Sequence, residues 1–207
     1  MPKLTEAHFV ARKEQILKAA FQCLARKGYS RLTVRDIAAE AGISVGTLYL
    51  HFENKKEIVK ALTEQGRELD EAGLEGIPVE GGPLEALGAV FEFLIERLDD
   101  PDSAPVLRVD VELWAEAIHH PAVKEMFQDS QRHWLGRLSE LVEEAQKVGE
   151  LPDSVDPASL AQLLIAMFAG LELMKVMEPE VPLGPLVEPL RTLLRGHLDT
   201  DLDSRTD

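Results

Sequence analysis

A single cysteine, Cys23, occurs among 207 residues, so no internal disulfide can form, and a reducing cytoplasm is the expected setting. Set among Phe21, Leu24 and Ala25, Cys23 reads as a small core residue rather than a reactive thiol. Aromatic residues make up only 5% of the chain, and β-branched residues seldom alternate with polar ones, so half-buried strands find no support. No run approaches the roughly 18 apolar residues of a membrane span, and the N-terminus lacks a signal-peptide hydrophobic region. Also missing are a nucleophile–base set, a Gly-rich phosphate loop and a metal-ligand cluster. The expectation is a cytoplasmic protein that is not an enzyme, with no cofactor, no metal and no membrane partner.

What is present forms helices. Hydrophobic residues supply 45% of the chain, enough for a sizeable core, and Ala, Leu and Glu are abundant. Their spacing predicts an all-α fold of about nine helices. The first runs from about Thr5 to Lys27 and stops at Gly28. Thr33 caps a second helix through Glu40, with Asp36 as an acidic variant of the capping box. Ser44 caps a third, in which Leu48 and Phe52 point inward, and Asn54 with Glu57 opens a fourth that reaches about Ala72. After a Gly/Pro-rich break, helices are predicted from Pro83 to Leu98, Ala104 to His120, Pro121 to Val148, Pro157 to Met177 and Pro185 to Leu198.

Charge is distributed unevenly. Residues 1–60 hold eleven Lys and Arg against six acids, leaving +5; the whole chain carries −15, so the remainder carries −20. A basic head on an acidic body suits a phosphate-binding module joined to a domain that repels nucleic acid.

That basic head contains two short helical patterns, each opened by a hydroxyl residue and joined at Gly42. Glycine there supplies the positive φ or close approach that a tight inter-helix turn needs, and Ala38 and Ala41 let the helices cross closely. The pattern is a helix-turn-helix, whose second helix enters the DNA major groove. The stretches Lys27-Gly28-Tyr29, Thr33-Val34-Arg35-Asp36-Ile37-Ala38, Ala41-Gly42-Ile43-Ser44, Gly46-Thr47-Leu48-Tyr49, His51-Phe52 and Asn54-Lys55 carry a more specific resemblance. Residues from about Ile16 to Ile58 resemble the DNA-binding domain of the TetR family of transcriptional regulators.

The resemblance implies phosphate contacts from Thr33, Thr47, Tyr49, His51 and Lys55, with Ser44 capping the reading helix. Hydroxyls and amides at helix N-termini suit phosphate oxygens, and Lys55 adds charge at the start of the fourth helix. Arg35, Val45 and Gly46 would face base edges: Arg35 could read guanine, and Val45 could meet a thymine methyl. Tyr49 alternatively packs against the first helix with only its hydroxyl exposed. Sequence readout is otherwise sparse, so DNA shape should contribute.

A pseudo-palindromic operator on double-stranded DNA needs two heads, so a homodimer is expected. The helix over 157–177 is apolar nearly all round and must be covered on several faces. Its Leu163, Leu164, Met167, Phe168, Leu171 and Met174, with Leu186, Leu190, Leu193 and Leu194 of the last helix, are the predicted interface, a four-helix bundle that the resemblance also implies. Phe91, Leu94, Trp114, Ile118, Phe127 and Trp134 are candidates to line a cavity for an apolar or amphipathic small-molecule effector. Glu116 and His120 share an i, i+4 spacing but lack a visible third metal ligand, so histidines capping helix carbonyls are the simpler reading. The chain thus divides into a DNA-binding domain over 1–53 and a ligand-binding and dimerisation domain over 54–207, joined by the helix over 54–72. A repressor released by its ligand is the leading expectation; an activator or an architectural DNA binder without effector is the alternative.

Overall fold

Residues 6–75 and 81–189 are described by the structure, a computed structural model. Among these residues every regular element is helical. We number the α-helices α1 (Glu6–Arg31), α2 (Val34–Glu40), α3 (Val45–Tyr49), α4 (Lys55–Glu75), α5 (Pro83–Asp99), α6 (Ala104–Ala117), α7 (Pro121–Lys147) and α8 (Pro157–Met177). A 3-10 turn at Pro101–Ser103 precedes α6, and helix resumes over 183–189.

The breaks fall where local chemistry puts them. Helical hydrogen bonding runs past Gly28 to Arg31, yet Gly28 itself leaves helical geometry at φ 70°, so the glycine stop is a kink. α5 starts with Pro83 and α8 with Pro157, the position where a missing N–H costs nothing. Asp156 caps α8 by accepting from the Ser159 N–H, and the Ser159 hydroxyl together with that N–H holds its carboxyl below the usual range.

Among the described residues, packing separates two compact units: 6–72 with 108–131, and 73–75 and 81–107 with 132–189. In the first, Ile16, Ala20, Leu24, Ile37, Leu48 and Ile58 form a core joined by Val109, Leu113, Val123 and Met126. The end of α6 and the start of α7 therefore pack as part of the head, a partner that sequence periodicity does not identify. In the second unit, Ile95 and Leu98 of α5 meet Leu107, Leu171, Leu183 and Val187. Lys175 binds Asp99 Oδ1 at 2.8 Å and the Val181 carbonyl at 3.0 Å, tying α8 to the end of α5 and to the segment after it.

α8 corrects one sequence expectation. No uninterrupted apolar run approaches a membrane span, yet by length and average composition α8 could cross one, because its few polar residues are outweighed. Glu172, however, is buried inside the second unit and Leu171 belongs to its core. Leu163, Leu173, Met174 and Met177 stay exposed on the same helix.

Candidate nucleic-acid interface

The head is assembled from local signals that reinforce one another. Gly42 follows the end of α2 at φ 64°, in the left-handed region. There the Ile43 N–H donates to Ala38 O at 3.0 Å and the Gly42 N–H to Ala39 O at 3.1 Å, the paired closure that satisfies a helix C-terminus. Gln15 Nε2 reaches the Ala41 carbonyl at 2.6 Å and ties this turn to α1.

Both helix starts are capped as their sequences dictate. Thr33 Oγ1 accepts from the Asp36 N–H, while Asp36 Oδ2 accepts from the Thr33 N–H at 3.1 Å and the Thr33 hydroxyl at 2.8 Å. Lys27 donates to the other Asp36 oxygen at 2.7 Å; that bond, with the Thr33 hydroxyl, holds the carboxyl below its ordinary range. Ser44 Oγ accepts from the Thr47 N–H at 3.0 Å and lies 2.8 Å from Thr47 Oγ1. At the start of α4, Asn54 accepts from the Glu57 N–H, but Glu57 reaches back to the Glu53 N–H instead of completing the box on Asn54.

With its caps closed, α3 buries Leu48 completely and leaves Tyr49 at 54% and Leu50 at 71% exposure. The exposed ring settles the alternative of a Tyr49 packed down on the first helix. Gly46 is open and Thr47 half-exposed, whereas Val45 packs partly against the head core. Arg35 is exposed on α2 and pairs with none of the described residues, in contrast to Arg26, bound to Glu40, and Lys56, bound to Glu125 at 2.7 Å. His51 stacks on Phe9 with ring centroids 4.3 Å apart. Lys55 is not splayed outward: it donates to Tyr29 O at 2.8 Å and lies 4.2 Å from that ring's centroid. Burial lowers its pKa.

The structure brings together residues that sequence reasoning left apart. Ser30 Oγ donates to Glu116 Oε2 at 2.8 Å and lies 3.0 Å from His120 Nε2. Glu116 and His120 face each other at 3.0 Å, and the Ser30 hydroxyl is the third member of the group. Among the described residues no cluster of three His, Cys, Asp or Glu could hold a metal ion. Phe9, Gln15 and Leu50 went unrecognised as parts of the site; only Leu50 carried a signal, as an apolar residue on the outward side of a short capped helix.

The effector candidates are distributed between the two units. Trp114 and Phe127 meet edge to face at 5.3 Å in the first, while Phe91 and Leu94 are half-buried in the second, as is Trp134, which packs against His133. Ile118 is 78% exposed and does not belong with buried lining residues. Of the interface candidates, Leu171 is buried, Met167 and Phe168 pack against its cluster, and Leu164 is half-buried. Leu171 thus turns toward its own chain with Met167 and Phe168 packed partly beside it, while Leu163 and Met174 stay exposed, a division that the all-round apolar character of α8 concealed. Leu190, Leu193 and Leu194 lie outside the described residues.

A capped seven-residue helix, a left-handed glycine turn and a short capped helix with exposed side chains, within the basic segment over residues 1–60, define a helix-turn-helix DNA-binding protein. Residues 16–62 match the family described as bacterial regulatory proteins, tetR family. Residues 83–203, more than half of the chain, match the BetI-type transcriptional repressor C-terminal family. The chain belongs to the TetR family of transcriptional regulators; it is a DNA-binding regulator and not an enzyme. It is 26% identical over 204 residues to the HTH-type transcriptional regulator YfiR of Bacillus subtilis, covering 97% of this chain and 98% of that protein. It is 35% identical over 111 residues to the HTH-type transcriptional repressor Rv1474c of Mycobacterium tuberculosis, 49% of this chain and 59% of the relative. Among solved structures, GusR of Salmonella enterica superposes with a TM-score of 0.76 at 29% identity, over 96% of this chain and 100% of that one.

Proposed function

We propose that the chain acts in the cytoplasm as a homodimeric repressor that grips a pseudo-palindromic operator and lets go when a small apolar or amphipathic ligand binds. One observation carries this reading. A head with Arg35 and Tyr49 presented outward shares its chain with a helix, α8, whose Leu163, Leu173, Met174 and Met177 are exposed apolar side chains. Such a stripe calls for a second apolar surface, and a second copy supplies both the cover and the second head.

In this reading Thr33, Ser44, Thr47, Tyr49 and His51 approach phosphates, while Arg35, Val45 and Gly46 face base edges. Lys55 secures the joint between α1 and α4 and adds positive charge beside the phosphate path. Phe91, Leu94 and Trp134 are the effector-side candidates of the second unit, and Trp114 and Phe127 those of the first. The ligand acts by favouring a head spacing that does not fit the operator, so its leverage equals its preference for that state.

The test is selection of duplexes from a random library by the purified protein, followed by binding titrations at several salt concentrations. Enrichment of a two-fold-related sequence, with affinity falling steeply as salt rises, is the expected result. Failure to enrich any sequence would remove the reading.

A further inference from the structure

The ring of His51 is held in an unusual way for a surface histidine. Phe9, from the second turn of α1, covers it at 4.3 Å between centroids with the planes 33° apart. Among the described residues its buried Nδ1 has no hydrogen-bond partner. Both rings border a cleft of about 270 Å³ that Lys13 and Phe52 also line, with the Lys13 ammonium 5.9 Å from the Phe52 ring centroid.

A buried N–H without an acceptor is costlier than a buried lone pair. Of the three forms of the imidazole, only the neutral one protonated at Nε2 leaves the buried Nδ1 without a hydrogen. The charged groups around the ring favour the same form. Arg12 opposes a second positive charge, and burial opposes it more, so the pKa lies below the ordinary histidine value. Lys13 of α1 and Lys60 of α4 border the cleft as cations. The two carboxylates bordering it are engaged, Glu64 with Lys60 at 3.6 Å and Glu57 with the Glu53 N–H.

We propose that Phe9 is a positioning residue that locks His51 as a neutral Nε2–H donor, so that His51 hydrogen-bonds a DNA phosphate without contributing charge. The inference rests on the head reading above. It assigns a DNA-binding role to a residue of α1 that need not touch DNA, and it makes the His51 contact insensitive to salt and to pH near neutrality.

The experiment combines ¹⁵N-histidine spectra of the DNA-free full chain with titrations of a duplex selected from the random library. At pH 7 His51 should be neutral with an unprotonated Nδ1. Phe9→Ala should raise the His51 titration midpoint toward that of an exposed histidine and weaken duplex binding several-fold. His51→Ala should weaken binding; His51→Gln, whose amide N–H can occupy the place of Nε2–H, should recover part of that loss with the parent's salt slope, and His51→Asn, which reaches only the Nδ1 position, should not. Were His51 cationic, replacing it by neutral Gln would instead make the salt slope shallower by about 0.9 per phosphate it had neutralised. A doubly protonated or Nδ1-protonated His51 at pH 7 overturns the inference and leaves the head reading intact. So does a Phe9→Ala protein with unchanged titration and affinity. A parent chain that binds no duplex overturns the head reading itself, and the spectra then still decide whether Phe9 sets the tautomer.

Discussion

The Lys55 ammonium donates to the Tyr29 backbone carbonyl at 2.8 Å and lies 4.2 Å from the centroid of the Tyr29 ring. This one contact joins the residue after the α1 kink to the first residue of α4. A lysine used this way satisfies a carbonyl near a helix end and gains from the ring's negative face. Lys55→Met keeps the apolar stem and removes both interactions. It should cost about 1–2 kcal/mol, the scale of a charge-assisted hydrogen bond offset by partial burial of the charge. The shift would appear in urea unfolding. Arginine should not restore it, since a planar guanidinium replaces a point charge at that carbonyl. An unchanged midpoint in Lys55→Met would show that neither contact stabilises the fold.

Gly42 supports a second test, because the space around it is empty while its backbone is constrained. A methyl group there would meet no atom within 4 Å, yet φ is +64°. Any loss in Gly42→Ala is therefore conformational, about 1–2 kcal/mol for an L-residue in the left-handed region. Gly42→Asn should lose less, because Asn tolerates that region. Equal unfolding midpoints for the parent and Gly42→Ala would contradict the turn geometry.

These two residues mark the line between what the sequence reveals and what it conceals. Gly42, the Thr33–Asp36 box and the Ser44 cap act within a few residues, so spacing alone located them. The contacts of Lys55 with Tyr29 and of Ser30 with Glu116 span 26 and 86 residues, and no short-range pattern encodes them. α8 failed differently. Because nearly every side is apolar, periodicity could not say that Leu171 turns inward while Leu163 and Met177 stay outside. The reading helix was legible for a third reason: its exposed residues matched a known order of residue types. The effector site had no such template, and Ile118 lay on the surface.

Gly46 separates folding from binding. A Cβ added there would have Ser44 Oγ at 3.7 Å as its nearest neighbour, an ordinary contact. Within α3, Gly46→Ala should therefore leave stability unchanged or raise it by about 0.5–1 kcal/mol. If the backbone of α3 closely approaches base edges, the same methyl should weaken binding of the selected duplex roughly tenfold. Thermal melting and duplex titration on one preparation decide it; wild-type affinity would move Gly46 away from the DNA.

Acid should loosen the head through two carboxylates. Asp36 is held below its usual range chiefly by Lys27 and then by Thr33, and Glu40 by Arg26. For groups depressed on folding, the stabilisation is present above the unfolded pKa of about 4 and disappears as pH falls through the lower folded value. Urea midpoints should accordingly be insensitive to these pairs between pH 7 and 5 and decline below about pH 4. Asp36→Asn and Glu40→Gln should flatten that decline and lower the neutral-pH midpoint. A parent midpoint that stays level below pH 4 would show that both pairs are screened to nothing.

The outward stripe of α8 makes the assembly testable without DNA. Leu163 and Met177 are 65% and 73% exposed, and Gly170, exposed between them, has open space where a Cβ would stand. A second α8 could approach closely at that point. A charge at Leu163 or Met177 costs the free chain little, but in a covered interface it would be buried without a partner. The double variant Leu163→Glu, Met177→Glu should therefore sediment as a monomer with a normal helical spectrum and bind a two-fold-related duplex far more weakly than the parent. Leu171→Ala should behave in the opposite way. Its side chain belongs to the core with Leu98 and Leu183, so truncation should cost about 2–5 kcal/mol of stability while the folded fraction remains dimeric. A double variant that still sediments as a dimer would move the interface away from this stripe. In that case Leu171 could join it only by leaving its own core.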